Sequence, residues 1–402
     1  MTTFSTLYFA MNIKINFENK INVKKFGDFY ILNYNKNTLK SQEDYDNDFS
    51  EKVSYRQLRS IVYRCLDRPD THYKNYKIYS FSPQKSLKIN DFIKKYPIIN
   101  KDIIIEEFVE GTMINLFWND DKWEISTKTN IGGKSTFFSK KTFEDMFYDA
   151  CSQSNFYVDL LDKTTSYSFV LQHPDNRIVS LFNDIKLWLI EAYEISVNGI
   201  NTIIRTLDTR SIVKHDPAFT HANIYVPKIY NEFSIYANAW SHFTEKSLSY
   251  NVMGCVIRNK TTNERSKIRN PNYEKIRRLR GNQPKLQYHY FVLLKDNKIQ
   301  EFLKYYPEYY SEFKIFRQEK DNYLRKLLNE YKSCYIYKSQ PLKQFQKNYK
   351  THMYNLHEIY KNQLKPNDKK MTLDQVNEYF IQLEHPLQLW SVNYEKNNPV
   401  SI

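Results

Sequence analysis

Apolar residues change their period once along this chain, near residue 286, and that change restricts the folds open to it. From about Arg56 to Arg280 the apolar runs are short and strand-like: Met113 to Trp118, Tyr167 to Leu171, Lys186 to Tyr193 and Val252 to Arg258. After the change, Phe313, Phe316, Tyr323, Leu324, Leu327, Leu328 and Tyr331 recur on one helical face, with Lys and Arg opposite. The pattern predicts an α+β body followed by a helical C-terminal domain. Within the body, Thr142 with Asp145 three residues on predicts a capped helix carrying Phe143, Met146, Phe147 and Ala150. In the tail, Thr372 and Gln375 form a capping-box pair before the stripe Leu373, Val376, Phe380 and Leu383, and Pro386 is expected to end that helix. The expected domains are an N-terminal extension over residues 1–50, a body over 51–285 and the helical domain over 286–402. The extension reads as a strand pair or an irregular segment packing on the body.

Composition excludes several functions. Only 7 glycines occur in 402 residues, and no Walker or dinucleotide fingerprint is present. Cys65, Cys151, Cys255 and Cys334 are far apart without a C-x-x-C pair, so neither a zinc site nor a disulfide framework is expected. No apolar run of about 18 residues could span a membrane, and no leader is read at the N-terminus, so a cytoplasmic protein is expected. His173, beside Pro174, is read as a loop histidine satisfied by backbone rather than a catalytic one. The wealth of Asn, Lys, Ile and Tyr suggests an AT-rich genome such as that of a giant virus.

Several segments together resemble the phage-type RNA ligases, covalent nucleotidyltransferases. Residues 103–118, IIIEEFVEGTMINLFW, resemble the Lys-x-Asp/Glu-Gly signature between two strands, with Phe108 where the lysine should stand. Upstream lie Arg59-Ser60-Ile61-Val62-Tyr63 and the Pro83-Gln84-Lys85 stretch. Downstream follow Trp123 to Gly133, then Tyr167 to Val179 resembling the Phe-Glu-x-x-x-Pro-x-Asn-Arg-Ile-Val element. Met253-Gly254-Cys255-Val256 resembles Glu-Gly-x-Val, and Lys267-Ile268-Arg269 resembles the closing Lys-x-Lys. The resemblance covers roughly residues 55 to 290 and implies a nucleotidyltransferase fold of antiparallel sheets with flanking helices.

It also implies what has been lost. In the family a neutral lysine amine attacks the α-phosphate of ATP and forms a lysyl-AMP phosphoramidate, which Phe108 cannot do. Two glutamates that contact ribose or metal are replaced by Val170 and Met253. The phosphate-facing positions Arg59, Glu110, Gly111, Lys128, Lys267 and Arg269 keep their character. The expectation is therefore a degenerate, RNA-ligase-like pseudoenzyme that binds RNA or another polyanion, with no cofactor and no metal. The alternative is an active ligase using a displaced lysine, Lys128 or Lys267, which would need ATP and magnesium. A structural or virion-associated role without nucleic acid stays open, as does a collapsed pocket filled by the three apolar replacements.

Charge supports a polyanionic partner. The chain carries 59 Lys and Arg against 45 Asp and Glu, a net charge of +14, with 34 tyrosines. Cations take phosphates and rings stack on bases. Between Arg258 and Lys285 ten basic residues face only Glu264 and Glu274. Lys275, Arg277, Arg278, Arg280 and Lys285 are the expected nucleic-acid contacts, unless the run is only a solvated face. A protein partner is also conceivable on the helical domain. If the chain is viral, the setting is the host cytoplasm or the virion.

Overall fold

The structure is a computed structural model that describes residues 3–10, 19–46, 48–50, 53–66, 76–137, 139–198 and 201–398. The chain divides into two compact units, Met1–Arg277 and Arg278–Ile402. The break falls within the helix Pro271–Arg280.

The first unit is α+β, and its long strands are antiparallel. Its largest sheet runs, edge to edge, through Thr3–Ala10, Asn201–Leu207, Lys186–Asn198, Thr165–Gln172, Thr112–Trp118 and Trp123–Ser126, with the short strand Ile224–Tyr225 pairing parallel to Lys186–Asn198. Thr165–Gln172 is buried along its whole length because both of its faces are covered. Tyr167, Phe169 and Leu171 face the helix Phe143–Gln153, where Phe147 meets Phe169 at 6.0 Å between ring centroids. Ser166, Ser168 and Val170 alternate onto the other face, where Ser166 Oγ lies 3.1 Å from Ser80 Oγ. The helix begins at the expected place, with Thr142 and Asp145 capping each other's backbone.

Two smaller sheets complete this unit. Ile103–Glu107, Gly254–Asn259 and Arg265–Arg269 form a three-stranded sheet over a core containing Phe92, Ile105, Phe243, Ile257 and Ile268. Ile21–Phe26, Phe29–Tyr34, Ile61–Cys65 and Tyr76–Ser80 form a four-stranded one. Of the first fifty residues, the described segment Thr3–Ala10 thus supplies an edge strand to the large sheet, and Ile21–Phe26 with Phe29–Tyr34 a hairpin to the four-stranded one. Strand pairing satisfies their backbone groups, which a loosely packed segment would leave to water.

The second unit is helical: Leu286–Lys295, Ile299–Tyr305, Tyr310–Tyr331, Lys347–Ile359, Leu373–Gln382 and His385–Asn397. Phe302 stacks on Phe313 at 5.1 Å, and Phe291 meets Phe380 at 5.8 Å. The stripe expected from Phe313 to Tyr331 is buried here, apart from the half-buried Phe316. The Thr372–Gln375 capping box forms, but Pro386 opens the last helix instead of closing the one before it. A proline at the first turn gives up an N–H that has no intrahelical partner anyway.

Candidate anion-binding cleft

Two glycines create the site by letting strands approach closely. Gly111 has φ 145°, and a Cβ there would run into the Leu171 carbonyl; Gly254 has φ 131°, and a Cβ there would strike the Ile268 carbonyl. The first contact sets Met113 beside Val170 in register, and the second sets Gly254 opposite Arg269. Phe108, just past Ile103–Glu107, donates its N–H to the Gly254 carbonyl at 3.2 Å. Side chains from the large sheet and the three-stranded sheet then line a cleft of about 240 Å³.

Phe108, Val170 and Met253 all line that cleft, so the three positions where the sequence departs from the ligase pattern lie together. Arg59, Gly111, Lys267, Arg269 and Arg277 line it with them, as does Arg265. The space beside Phe108 is open rather than filled. Lys267 Nζ stands 4.0 Å from the Phe108 ring centroid and the Arg269 guanidinium 5.4 Å from it. A ring face attracts cations by its quadrupole, which holds both groups at the cleft.

The cations are unequally compensated. Arg265 pairs with buried Glu191 at 3.2 Å and donates to the Gln84 carbonyl. Arg269 and Arg277 share one carboxylate, Glu274, at 2.8 and 3.4 Å. Arg59 and Lys267 have no acidic partner among the described residues; Arg59 donates weakly to the Pro83 carbonyl at 3.4 Å. Burial, and then the nearness of Arg265, pushes Arg59 down to about 10. Burial, reinforced by Arg265, Arg59, Arg269 and Arg277, holds Lys267 well below the ordinary lysine value.

The donor set does not suit a divalent metal. Of the two carboxylates on the lining, Glu106 receives Arg210 at 3.1 Å and Arg258 at 3.5 Å, and Glu107 accepts from the Lys228 backbone N–H at 3.4 Å. Among the described residues no group of three or more His, Cys, Asp or Glu could hold a metal ion. A hard cation needs several oxygen ligands, and this cleft presents guanidinium and ammonium groups instead.

Other expected site residues lie elsewhere. The Glu110 carboxylate accepts from the backbone N–H of Val179 at 2.6 Å and from Ser180, fixing the loop after Asn176. Burial raises its pKa despite those bonds, and fully engaged it cannot meet a ligand. Lys128 lies 4.7 Å over the Tyr34 ring and is pushed down to about 8 by burial, then by Lys36 and Arg59. His173 Nδ1 accepts from the Asp175 backbone N–H at 3.1 Å. Of the expected nucleic-acid contacts, Lys275, Arg278 and Lys285 are exposed. Arg280 is buried and lies 5.2 Å over Tyr309, which removes it from any surface. Arg265 and Glu191 went unrecognised in the sequence. The available signal was a glutamate within the apolar run Leu187 to Tyr193.

No known family model matches the chain. It is 28% identical over 283 residues to the immediate-early protein ICP-46 homolog of Invertebrate iridescent virus 6, covering 66% of this chain and 60% of that protein. It is 23% identical over 159 residues to the immediate-early protein ICP-46 of Frog virus 3, covering 35% and 36%. The matches thus span less than two thirds of either relative's length. Several solved structures similar to it are ligases. They include a putative ATP-dependent DNA ligase from Aquifex aeolicus (TM-score 0.38, 14% identity, 75% of this chain and 68% of that one). An archaeal ATP-dependent RNA ligase (0.38, 10%, 70% and 65%) and a Naegleria gruberi RNA ligase (0.36, 9%, 67% and 98%) are others. Among the described residues no helix is long and apolar enough to cross a membrane.

Proposed function

We propose that the protein is a ligase-like pseudoenzyme whose cleft holds a phosphate-bearing ligand, the end of an RNA chain or another polyanion, without forming a lysyl-nucleotide adduct. One observation carries the reading: Arg59, Lys267, Arg269 and Arg277 converge on a cleft whose expected nucleophile and both expected carboxylates are Phe108, Val170 and Met253. Such a cleft attracts anions and repels metals. The viral relatives favour an infected cell or a virion as its setting. Calorimetric titration with a 5′-phosphorylated trinucleotide in EDTA tests binding. Heat is expected for the natural chain and not for the Arg59→Ala, Lys267→Ala double variant. Incubation with α-labelled ATP and a divalent metal tests the chemistry, and a labelled protein surviving denaturation would overturn the pseudoenzyme reading.

A second reading has its own observation. Lys267 carries an amine of lowered basicity in the cleft itself. Its lone pair could form a P–N bond to the α-phosphorus of ATP while the bond to the bridging oxygen breaks, pyrophosphate leaves and the amine proton passes to solvent. The same labelling decides it: a label lost on Lys267→Met would establish this route.

A further inference from the structure

Half of the chain's net charge of +14 lies between Lys332 and Lys370, a net +7. Between Lys332 and Lys370 there are nine lysines and only two acids, Glu358 and Asp368. Most of these lysines are exposed, and among the described residues only Lys361 has a carboxylate partner, Glu358 at 2.6 Å. Within this stretch the rings of Tyr335 and His357 stack at 3.9 Å and 11°, and Tyr360 continues the stack at 6.0 Å and 23°. Two π-helical turns, Lys332–Ile336 and Tyr360–Leu364, carry the outer rings of that ladder. π-Turns inside helices are often found at functional sites.

Helical spacing puts Lys350, Tyr354, His357 and Lys361 at i, i+4, i+7 and i+11, a single row of about 16 Å at 1.5 Å per residue. Cations therefore stand at both ends of a row of rings. Tyr354 is 54% exposed and Tyr337 70%, so both rings meet solvent. An acidic protein would answer the charge but not the rings, and a lipid surface calls for aliphatic side chains. Rings flanked by cations fit bases flanked by phosphates.

We infer that the helical unit carries a second site, a platform for single-stranded nucleic acid formed by Tyr335, Tyr354 and His357 with Lys332, Lys350 and Lys361. It does not depend on the cleft. The test is fluorescence anisotropy of the full chain with a labelled oligouridylate across a NaCl series. Lys350→Gln with Lys361→Gln is expected to weaken binding and flatten the log–log salt slope by about 1.4, at roughly 0.7 per phosphate contact. Tyr354→Ala removes an exposed ring without disturbing the core. It is expected to cost about tenfold in affinity at an unchanged slope. Lys295→Gln with Lys314→Gln, two exposed lysines of the same unit outside the row, is expected to bind the oligomer as the natural chain does. Unchanged affinity in both platform variants would overturn the inference. So would equal weakening in that control variant, or equal competition by polyglutamate or anionic vesicles.

Discussion

At the scale of single residues, Phe108 is held by its neighbours rather than merely tolerated. Its ring accepts Lys267 and Arg269, so restoring a lysine there would place a third cation against two. Phe108→Lys is expected to lower the melting temperature and to remain unlabelled by α-labelled ATP, because Val170 and Met253 still supply no carboxylate. Calorimetry and denaturing gels check both outcomes. Lys267 gives a pH prediction. Its native pKa lies below the unfolded value of 10.5, so between the two the unfolded chain binds more protons and stability rises with pH. Lys267→Met is therefore expected to melt higher than the natural chain at neutral pH, with the advantage shrinking as pH approaches 10.5. Binding of an anion, in turn, favours the ammonium form and should be accompanied by proton uptake, measurable as a buffer-dependent heat. The convergence of Phe108, Val170 and Met253 was legible in sequence only through the family resemblance, which assigns all three positions to one centre. The withdrawal of Glu110 was not. Which way a side chain turns from a glycine-distorted strand end depends on partners 69 and 70 residues away, here the Val179 and Ser180 backbone.

At the scale of elements, strand and helix existence followed from periodicity, and helix starts from capping chemistry. Both are local. Pro386 shows the limit, since a proline punctuates either the end of one helix or the start of the next, and only the length of the intervening turn decides. Pairing between strands is non-local and was not legible. The Glu191–Arg265 pair, which ties Lys186–Asn198 to Arg265–Arg269, needs two strands 74 residues apart. Glu191 also receives Asn263 at 3.1 Å and the Tyr193 hydroxyl, so its charge is met from three sides. Removing it leaves Arg265 buried and uncompensated. Glu191→Ala is expected to cost about 3–5 kcal/mol, read as a fall in the urea midpoint at unchanged slope. Anion affinity of the folded variant should rise, because the Arg265 left unpaired lines the cleft.

At the scale of the whole molecule, net charge misleads unless its partners are known. The basic run from Arg258 to Lys285 pointed to a surface, yet Arg258, Arg265 and Arg280 are buried and Arg269 shares Glu274 with Arg277. Folding turns much of that run into internal ion pairs and the cleft. The lysines after Lys332 keep their exposure, which no count along the chain distinguishes. His352, by contrast, is expected to make the helical unit sensitive to acid. That ring is 1% exposed and bonded at 2.9 Å to both the Tyr379 hydroxyl and Ser391 Oγ. Burial pushes it down to about 4 from 6.5, so the native state keeps it neutral. As pH falls from 6.5 to 4 the unfolded chain takes up the proton more readily, and stability is lost across that window. A shift of this size corresponds to roughly 3 kcal/mol. The expected result is a marked drop in the helical circular-dichroism melting temperature between pH 6.5 and 4. A His352→Gln variant, which has no proton to gain, should start less stable at neutral pH and lose less on acidification. An identical pH dependence in the two proteins would show that the acid response resides elsewhere.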